Sequence, residues 1–241
     1  MPERSFDDFN EYAAQYRQIH TANIALSGVD SFYFAEMKVK LIKEFEKNDH
    51  LRILDVGCGD GTSESYMTNY FSSWEIDALD VSEESISVAK NKKLRNVNFR
   101  WYDGLTIPFP DETFEVVFMA GVLHHVGFDL HEQLINEINR VTKKGGRFYL
   151  FEHNPLNPVT RHLVNTCVFD KSAKLLSYNY SSRLLKKNNF EIITKRFIIF
   201  FPRKGLLSSF LFLEKYLRKL PLGGQYFFVS RKQPTGKNPA V

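Results

Sequence analysis

The sequence predicts an α/β fold, a doubly wound sheet in a single unit, and three observations carry that expectation. Short apolar runs bounded by turn residues alternate with stretches of helical spacing from Leu51 to Val141. The first of these runs passes into a glycine turn, ILDVGCGDGT from Ile53 to Thr62, of the kind that joins a buried strand to a helix. Three runs after it end in carboxylates or small residues, at the carboxyl edge where open α/β sheets bind ligands.

The first strand is Leu51–Val56, and Gly61–Phe71 reads as the helix behind it. Gly57, Gly59 and Gly61 let the backbone turn sharply and approach a ligand, and amides near a helix N-terminus face whatever lies over the loop. Spacing narrows the ligand. A phosphate loop needs a lysine that is missing here, and a dinucleotide fingerprint is G-x-G-x-x-G where this loop is G-x-G-x-G. Asp55, two residues before the first glycine, would repel a pyrophosphate. It suits a ligand with a cationic end, such as the amino group or sulfonium of S-adenosylmethionine. A tight turn with no ligand is the competing reading.

The second strand, Trp74–Asp80, ends in Asp80 about 20 residues after the loop, where a nucleotide-binding unit places its ribose acceptor. A carboxylate can accept from both vicinal hydroxyls. Ser82 suits the N-cap of the helix over VSEESISVAK better than Asp80 does. A third strand, Asn96–Tyr102, stops at Asp103-Gly104, where a carboxylate suits an adenine amino group and an ordinary turn is the equal alternative. A fourth, Phe114–Met119, runs into Ala120-Gly121, small enough for a flat ring to lie on backbone. Asp129–Val141 has helical spacing, and Lys143-Lys144-Gly145-Gly146 reads as its C-terminal stop. Arg147–Glu152 is the fifth strand, Tyr178–Asn188 a helix, and Phe190–Phe201 and Gln225–Ser230 the last two strands.

Together ILDVGCGDGT, ALDVSEESISVAK, WYDGLTIPFPDETFEVVFMAGVLHHV and KKGGRFYLFEHNP resemble the class I S-adenosylmethionine-dependent methyltransferases. The flavour is that of the ubiquinone and menaquinone biosynthesis group of small-molecule enzymes, and the resemblance covers residues 50–155. It implies a Rossmann-like sheet of seven strands in the order 3-2-1-4-5-7-6, the last strand antiparallel. It implies S-adenosyl-L-methionine as cofactor and S-adenosyl-L-homocysteine as product. It also implies Asp55, Gly57 and Gly59 around the methionine end, Asp80 on the ribose, Asp103 on the adenine and Gly121 to Leu123 lining the site. Their chain neighbours Cys58, Val81, Gly104 and Ala120 join this cofactor-binding set. Glu115 departs from the family, which usually has aspartate there.

Size and composition agree with one domain of 241 residues. Residues 1–48 read as N-terminal lid helices, 49–153 as a cofactor-binding half, 154–232 as a substrate-side half and 233–241 as a disordered tail. Two cysteines, Cys58 and Cys167, fit a reducing cytosol, and no His/Cys cluster has zinc spacing, so no metal is expected. The N-terminus is too acidic and polar for a signal peptide, and no apolar stretch approaches the ~20 residues of a membrane span. The net charge of +4 hides an asymmetry: residues 1–139 hold 12 Lys+Arg against 24 Asp+Glu, residues 140–241 hold 20 against 4. The basic half suggests an anionic partner, whether nucleic acid, a phosphorylated or lipid-linked substrate, or an anionic membrane leaflet; a merely solvated face is the plainer explanation.

Substrate choice is expected outside the common core. Tyr12 and Tyr16 share a helical face in the N-terminal segment, and Tyr16 is expected to point at the cofactor. After the fifth strand two Asn-Pro steps start turns. His124, His125, Glu152 and His153 are the candidates for meeting the acceptor, with His125, Glu152 and His153 taken as the catalytic set and Arg161 and His162 as anion binders. Gly205–Leu220, GLLSSFLFLEKYLRKL, reads as a basic amphipathic helix that lies in a membrane interface, covers a lipid groove or packs on its own domain or a second subunit. The acceptor is therefore expected to be small or lipid-linked, with methylation at oxygen or carbon. A nucleic-acid methyltransferase lacks its amino-methylation motif here, and a non-catalytic cofactor-binding protein is at odds with the intact Asp55, Asp80 and Asp103.

Overall fold

The computed structural model describes residues 31–234, positions 49, 169 and 171 excepted. Within them α1 (Ser31–Phe45) precedes β1 (Arg52–Val56), α2 (Thr62–Tyr70), β2 (Glu75–Asp80), α3 (Glu83–Asn91), β3 (Val97–Trp101) and β4 (Phe114–Ala120). There follow α4 (His131–Val141), β5 (Thr142–His153), α5 (Pro158–Thr166), α6 (Tyr178–Lys187), β6 (Phe190–Ile198), the single turn α7 (Glu214–Leu217) and β7 (Gln225–Lys232). The seven strands form one sheet in the order β3-β2-β1-β4-β5-β7-β6. β7 alone runs antiparallel to its neighbours β5 and β6, which is the arrangement the sequence reading expects.

Helices on both faces explain why the strands read as continuous apolar runs. Leu54, Val56, Phe148, Leu150 and Phe228 pack with Leu134, Ile138 and Leu185 of α4 and α6. The alternate residues Ile53, Phe118, Tyr149, Phe151 and Phe227 pack with Val39, Ile42 and Met67 of α1 and α2. In α1 the buried Ala35, Val39 and Ile42 mark the apolar stripe of an amphipathic helix. Glu115, longer than the family's aspartate, accepts from Arg52 N (2.9 Å) and pairs with Lys143, linking three segments of the sheet's amino edge.

Several boundaries differ from the sequence expectation. Lys143–Gly146 does not stop α4. The chain enters β5 at Thr142, whose Oγ1 donates to Ile138 O (2.6 Å), and the two glycines lie in an irregularity of the β4–β5 register. β6 ends at Ile198 rather than Phe201, because Ile199 turns out at φ +65° and its carbonyl accepts from Gly224 N (2.8 Å). The Asn157-Pro158 step does more than start a turn, for it opens α5. Asn157 accepts from Thr160 N (2.9 Å), and proline fills a first-turn position that needs no amide donor. Residues 205–220 form no continuous α-helix but a 3₁₀ segment, Leu206–Leu213, followed by α7, and neither has a buried residue. Tyr12, Tyr16, the rest of residues 1–30 and most of the tail lie outside the described residues.

Candidate active site

β1 carries Asp55 to the middle of the sheet's carboxyl edge, and the chain reverses at Gly57. Its φ is +86° and a Cβ there would lie 2.2 Å from Val122 Cγ2, so only glycine fits. Gly57 N and Cys58 N both donate to Leu79 O (2.8 and 3.0 Å), which ties the turn to β2. Gly59 has open space instead, with nothing within 4 Å of its Cβ position. Its amide donates to Asp80 Oδ2 (2.7 Å) while Asp80 Oδ1 accepts from Ser82 N (2.9 Å). Asp80 therefore bridges the loop and the start of α3, and Ser82 caps α3 by accepting from Ser85 N (3.0 Å). Burial holds the Asp80 carboxyl above its usual range, against the pull of these amides.

Beside the loop lie two carboxyls that the described protein leaves unsatisfied. Asp55 Oδ1 and both oxygens of Glu64, in the first turn of α2, have no hydrogen-bond partner. Burial, reinforced by Glu64, holds Asp55 well above the carboxylate range, and burial pushes Glu64 up to about 7. Buried carboxyls with no other partner are costly, so the chemistry of the two suits a cationic group. Glu64 escapes the sequence reading; its signal is an acid one turn into the helix behind the loop, since helical side chains lean toward the N-terminus. Burial and these same acids push the neighbouring Cys58 thiol up, which leaves it a neutral wall rather than a nucleophile.

A cavity of about 490 Å³ opens over the loop. Gly57, Cys58, Gly59, Ala120 and Gly121 form its floor, and the start of α1 and the face of α5 form two walls. His124, His125, His153 and Asp170 form a polar wall. His131, on α4, accounts for the position of the turn that carries two of these imidazoles. Its Nε2 lies 3.0 Å from Leu123 O and 2.9 Å from Val126 O, and Nδ1 meets the Tyr180 hydroxyl at 2.9 Å.

Behind that wall Glu152 accepts from Leu123 N (2.9 Å) and meets His124 Nδ1 at 2.6 Å. Burial alone would raise Glu152, but the charge and hydrogen bond of His124 outweigh it and hold the carboxyl below its usual range. Burial, with repulsion from His124, pushes His153 down to about 3, so it is neutral at physiological pH. His125 Nε2 stands 3.3 Å from Asp170 Oδ1. Burial would raise Asp170 too, yet His125 and the adjacent imidazoles keep it low and ionised. The ligand atoms of His124, His125 and Asp170 lie within 4.8 Å of one another, which makes them a conceivable cation set. As they stand, each of the two imidazoles faces its own carboxylate.

The sequence-predicted residues thus fall into groups. Gly57, Cys58, Gly59, Ala120, Gly121, His125 and His153 come together on the cavity, and Asp55 and Asp80 lie buried beside its floor. Glu152 is fully buried and reaches the cavity only through His124. Asp103 Oδ1 accepts from Leu105 N (2.9 Å) and Thr106 N (2.8 Å) in the turn that the plain reading foresees, and Asp103, Gly104 and Val81 are not cavity-lining. Arg161 and His162 are exposed on α5 and away from the lining; the cations on the wall are Lys38 and Arg203. Asp170, Lys38 and Arg203 are absent from the sequence reading because segments remote in the chain deliver them.

The loop, the unsatisfied acids and Asp80 fit a cofactor with a cationic end and a vicinal diol. A family model described as a methyltransferase domain matches residues 54–150. A Bacillus subtilis protein called uncharacterized methyltransferase YcgJ is 32% identical over 130 residues, 52% of this chain and 50% of its own. The demethylmenaquinone methyltransferase of Chlorobaculum parvum is 29% identical over 156 residues, 64% of this chain and 62% of its own. The chain spans about half the length of the first curated relatives it matches. Among solved structures, an S-adenosylmethionine-dependent methyltransferase from Thermotoga maritima superposes with a TM-score of 0.69 at 17% identity, over 93% of this chain and 98% of that one, a likeness of fold. The domain match over residues 54–150, the strand order and the cofactor-type loop agree in making this chain similar to the class I S-adenosylmethionine-dependent methyltransferases, whose cofactor is S-adenosylmethionine.

Proposed function

We propose that this protein transfers the methyl group of S-adenosyl-L-methionine to an oxygen or carbon of a small or lipid-linked acceptor bearing an anionic group, in the cytoplasm and at an anionic membrane surface. One observation carries the reading: the open Gly59 edge and the His125–Asp170 pair share a single cavity, so cofactor and acceptor have one common space in which to meet. Bound S-adenosyl-L-methionine supplies the electrophilic methyl group and leaves as S-adenosyl-L-homocysteine. Asp55 and Glu64 suit its ammonium end and Asp80 its ribose; Asp103 with Gly104, beyond the cavity lining and with Asp103 Oδ1 engaged in its own turn, is left the adenine end.

The chain's own task is to align the acceptor and exclude water. His125, with Asp170 beside it, accepts the proton that an acceptor hydroxyl or acidic C–H gives up, and Asp170 stabilises the imidazolium that results. His153 is too weak a base for that role near neutral pH and serves as a hydrogen-bonding wall. Glu152 positions His124. Lys38 and Arg203 suit the acceptor's anionic group. The Chlorobaculum parvum relative, named for demethylmenaquinone, lends support to a non-nucleic-acid acceptor.

With methyl-labelled S-adenosylmethionine and an extract divided into lipid, small-molecule and nucleic-acid fractions, label should enter one of the first two. Label confined to nucleic acid, or cofactor binding with no transfer, would overturn the proposal. Asp80→Ala removes the acceptor of one loop amide and of the Ser82 amide at the start of α3, and should weaken cofactor binding by about 1–3 kcal/mol; unchanged affinity by calorimetry would strip Asp80 of its role. His125→Gln and Asp170→Asn should each lower kcat, His125→Gln by about 10²–10⁴-fold, while cofactor affinity stays within about twofold. A change in KM alone would remove the base assignment.

A further inference from the structure

We infer that residues 203–222 and α5 form a docking surface for an anionic lipid bilayer, placed so that a lipid-linked acceptor enters the cavity head-first from the membrane. Only the acceptor half of this inference rests on the proposed methyl transfer; the docking surface stands on its own observations. Fourteen large hydrophobic residues are exposed among the described ones, and ten of them lie in 156–168 and 206–222. Leu206 is 85% exposed, Tyr216 70%, Leu156 65% and Phe212 64%. Single exposed hydrophobics need no explanation, but a cluster of this kind marks an interaction surface.

The two segments are one rim. Asn157 Nδ2 donates to Leu222 O (2.7 Å) and Asn154 Nδ2 to Pro221 O (3.0 Å), while Val159, Leu163 and Leu207 line the cavity itself. The apolar patch therefore frames the mouth of the site. No residue of Leu206–Leu213 or α7 is buried, so the domain core does not account for their apolar side chains.

Charge selects the occupant. Residues 203–222 hold Arg203, Lys204, Lys215, Arg218 and Lys219 against a single acid, Glu214. That acid is turned inward, where it accepts from Phe200 N (2.9 Å) and Phe201 N (3.2 Å) and meets Arg203. Lys204, Lys215 and Lys219 are exposed, as is Arg161 on α5. Aliphatic and aromatic side chains flanked by lysines match the interface of an anionic leaflet, where the apolar groups enter the acyl boundary and the cations meet headgroups. Phosphates of a polynucleotide would leave Leu206, Phe212 and Leu222 without a partner.

Flotation of the full chain with vesicles tests this. Vesicles of phosphatidylcholine with phosphatidylglycerol should bind about fivefold more protein than phosphatidylcholine alone at ~50 mM salt, and the excess should vanish at ~500 mM. Leu206→Ser/Phe212→Ser and Lys215→Glu/Lys219→Glu should each lower binding about fivefold while calorimetry shows unchanged S-adenosylmethionine affinity, which proves the fold and keeps the cofactor reading separate. No binding at low salt, binding indifferent to lipid charge, or binding that survives both double variants would overturn the inference. So would sedimentation showing that the Leu206 patch pairs two copies of the chain without lipid.

Discussion

Gly57→Ala is expected to destabilise the chain by about 2–4 kcal/mol and to abolish measurable cofactor binding. Two costs add. The residue sits at φ +86°, where any Cβ crowds the following carbonyl, and the new methyl would stand 2.2 Å from Val122 Cγ2. Urea denaturation measures the loss. The double variant Gly57→Ala/Val122→Ala separates the terms, because it relieves the clash and retains the backbone cost of about 1–2 kcal/mol. A single variant as stable as the wild type would mean that the loop does not hold this conformation.

Glu64→Gln is expected to stabilise the cofactor-free chain at pH 8 by about 2 kcal/mol and to weaken S-adenosylmethionine binding at least tenfold. The folded pKa of about 7 lies above the ordinary 4.5, so the fold favours the protonated carboxyl. The stability that this contributes is complete below pH 4.5 and is lost as pH rises through 7. Glutamine keeps the neutral shape at every pH, so the variant and wild type should agree below pH 4.5, separate between 4.5 and 7, and stay apart by a constant amount above 7. Cofactor binding has the opposite sign. A cationic end needs the ionised carboxyls, so wild-type affinity should climb from pH 6 to 8 with release of a proton, detectable by calorimetry in buffers of different ionisation enthalpy. A Glu64→Gln protein with the same pH profile as the wild type would remove Glu64 from the cofactor seat.

The residues legible in the sequence are those whose role follows from neighbours in the chain. Gly57 announces its turn because Asp55, the strand before it and the helix after it lie within a dozen positions. Ser82 declares itself an N-cap by the acids behind it, and its side chain accepts from Ser85 N as the spacing requires. Where two local readings compete, tertiary contacts settle the outcome. Lys143–Gly146 has the composition of a helix stop, yet packing between Glu115 and Thr142 draws it into the sheet. Residues 205–220 have the composition of an amphipathic helix, but they lack a buried face to hold an α-helix together.

By itself, then, the sequence determined the order of the seven strands, the helices between the first five of them, the glycine loop and the acids that flank it, because those depend on periodicity and on backbone conformations available to few residues. Tertiary structure decided the rest. It brought Asp170 to His125, set Glu64 against Asp55, buried Glu152 behind His124 and lifted Leu206 to Leu222 out to the rim of the cavity. Each of these is a relation between remote segments, and its physical content lies in distance and desolvation, which spacing along a chain does not encode.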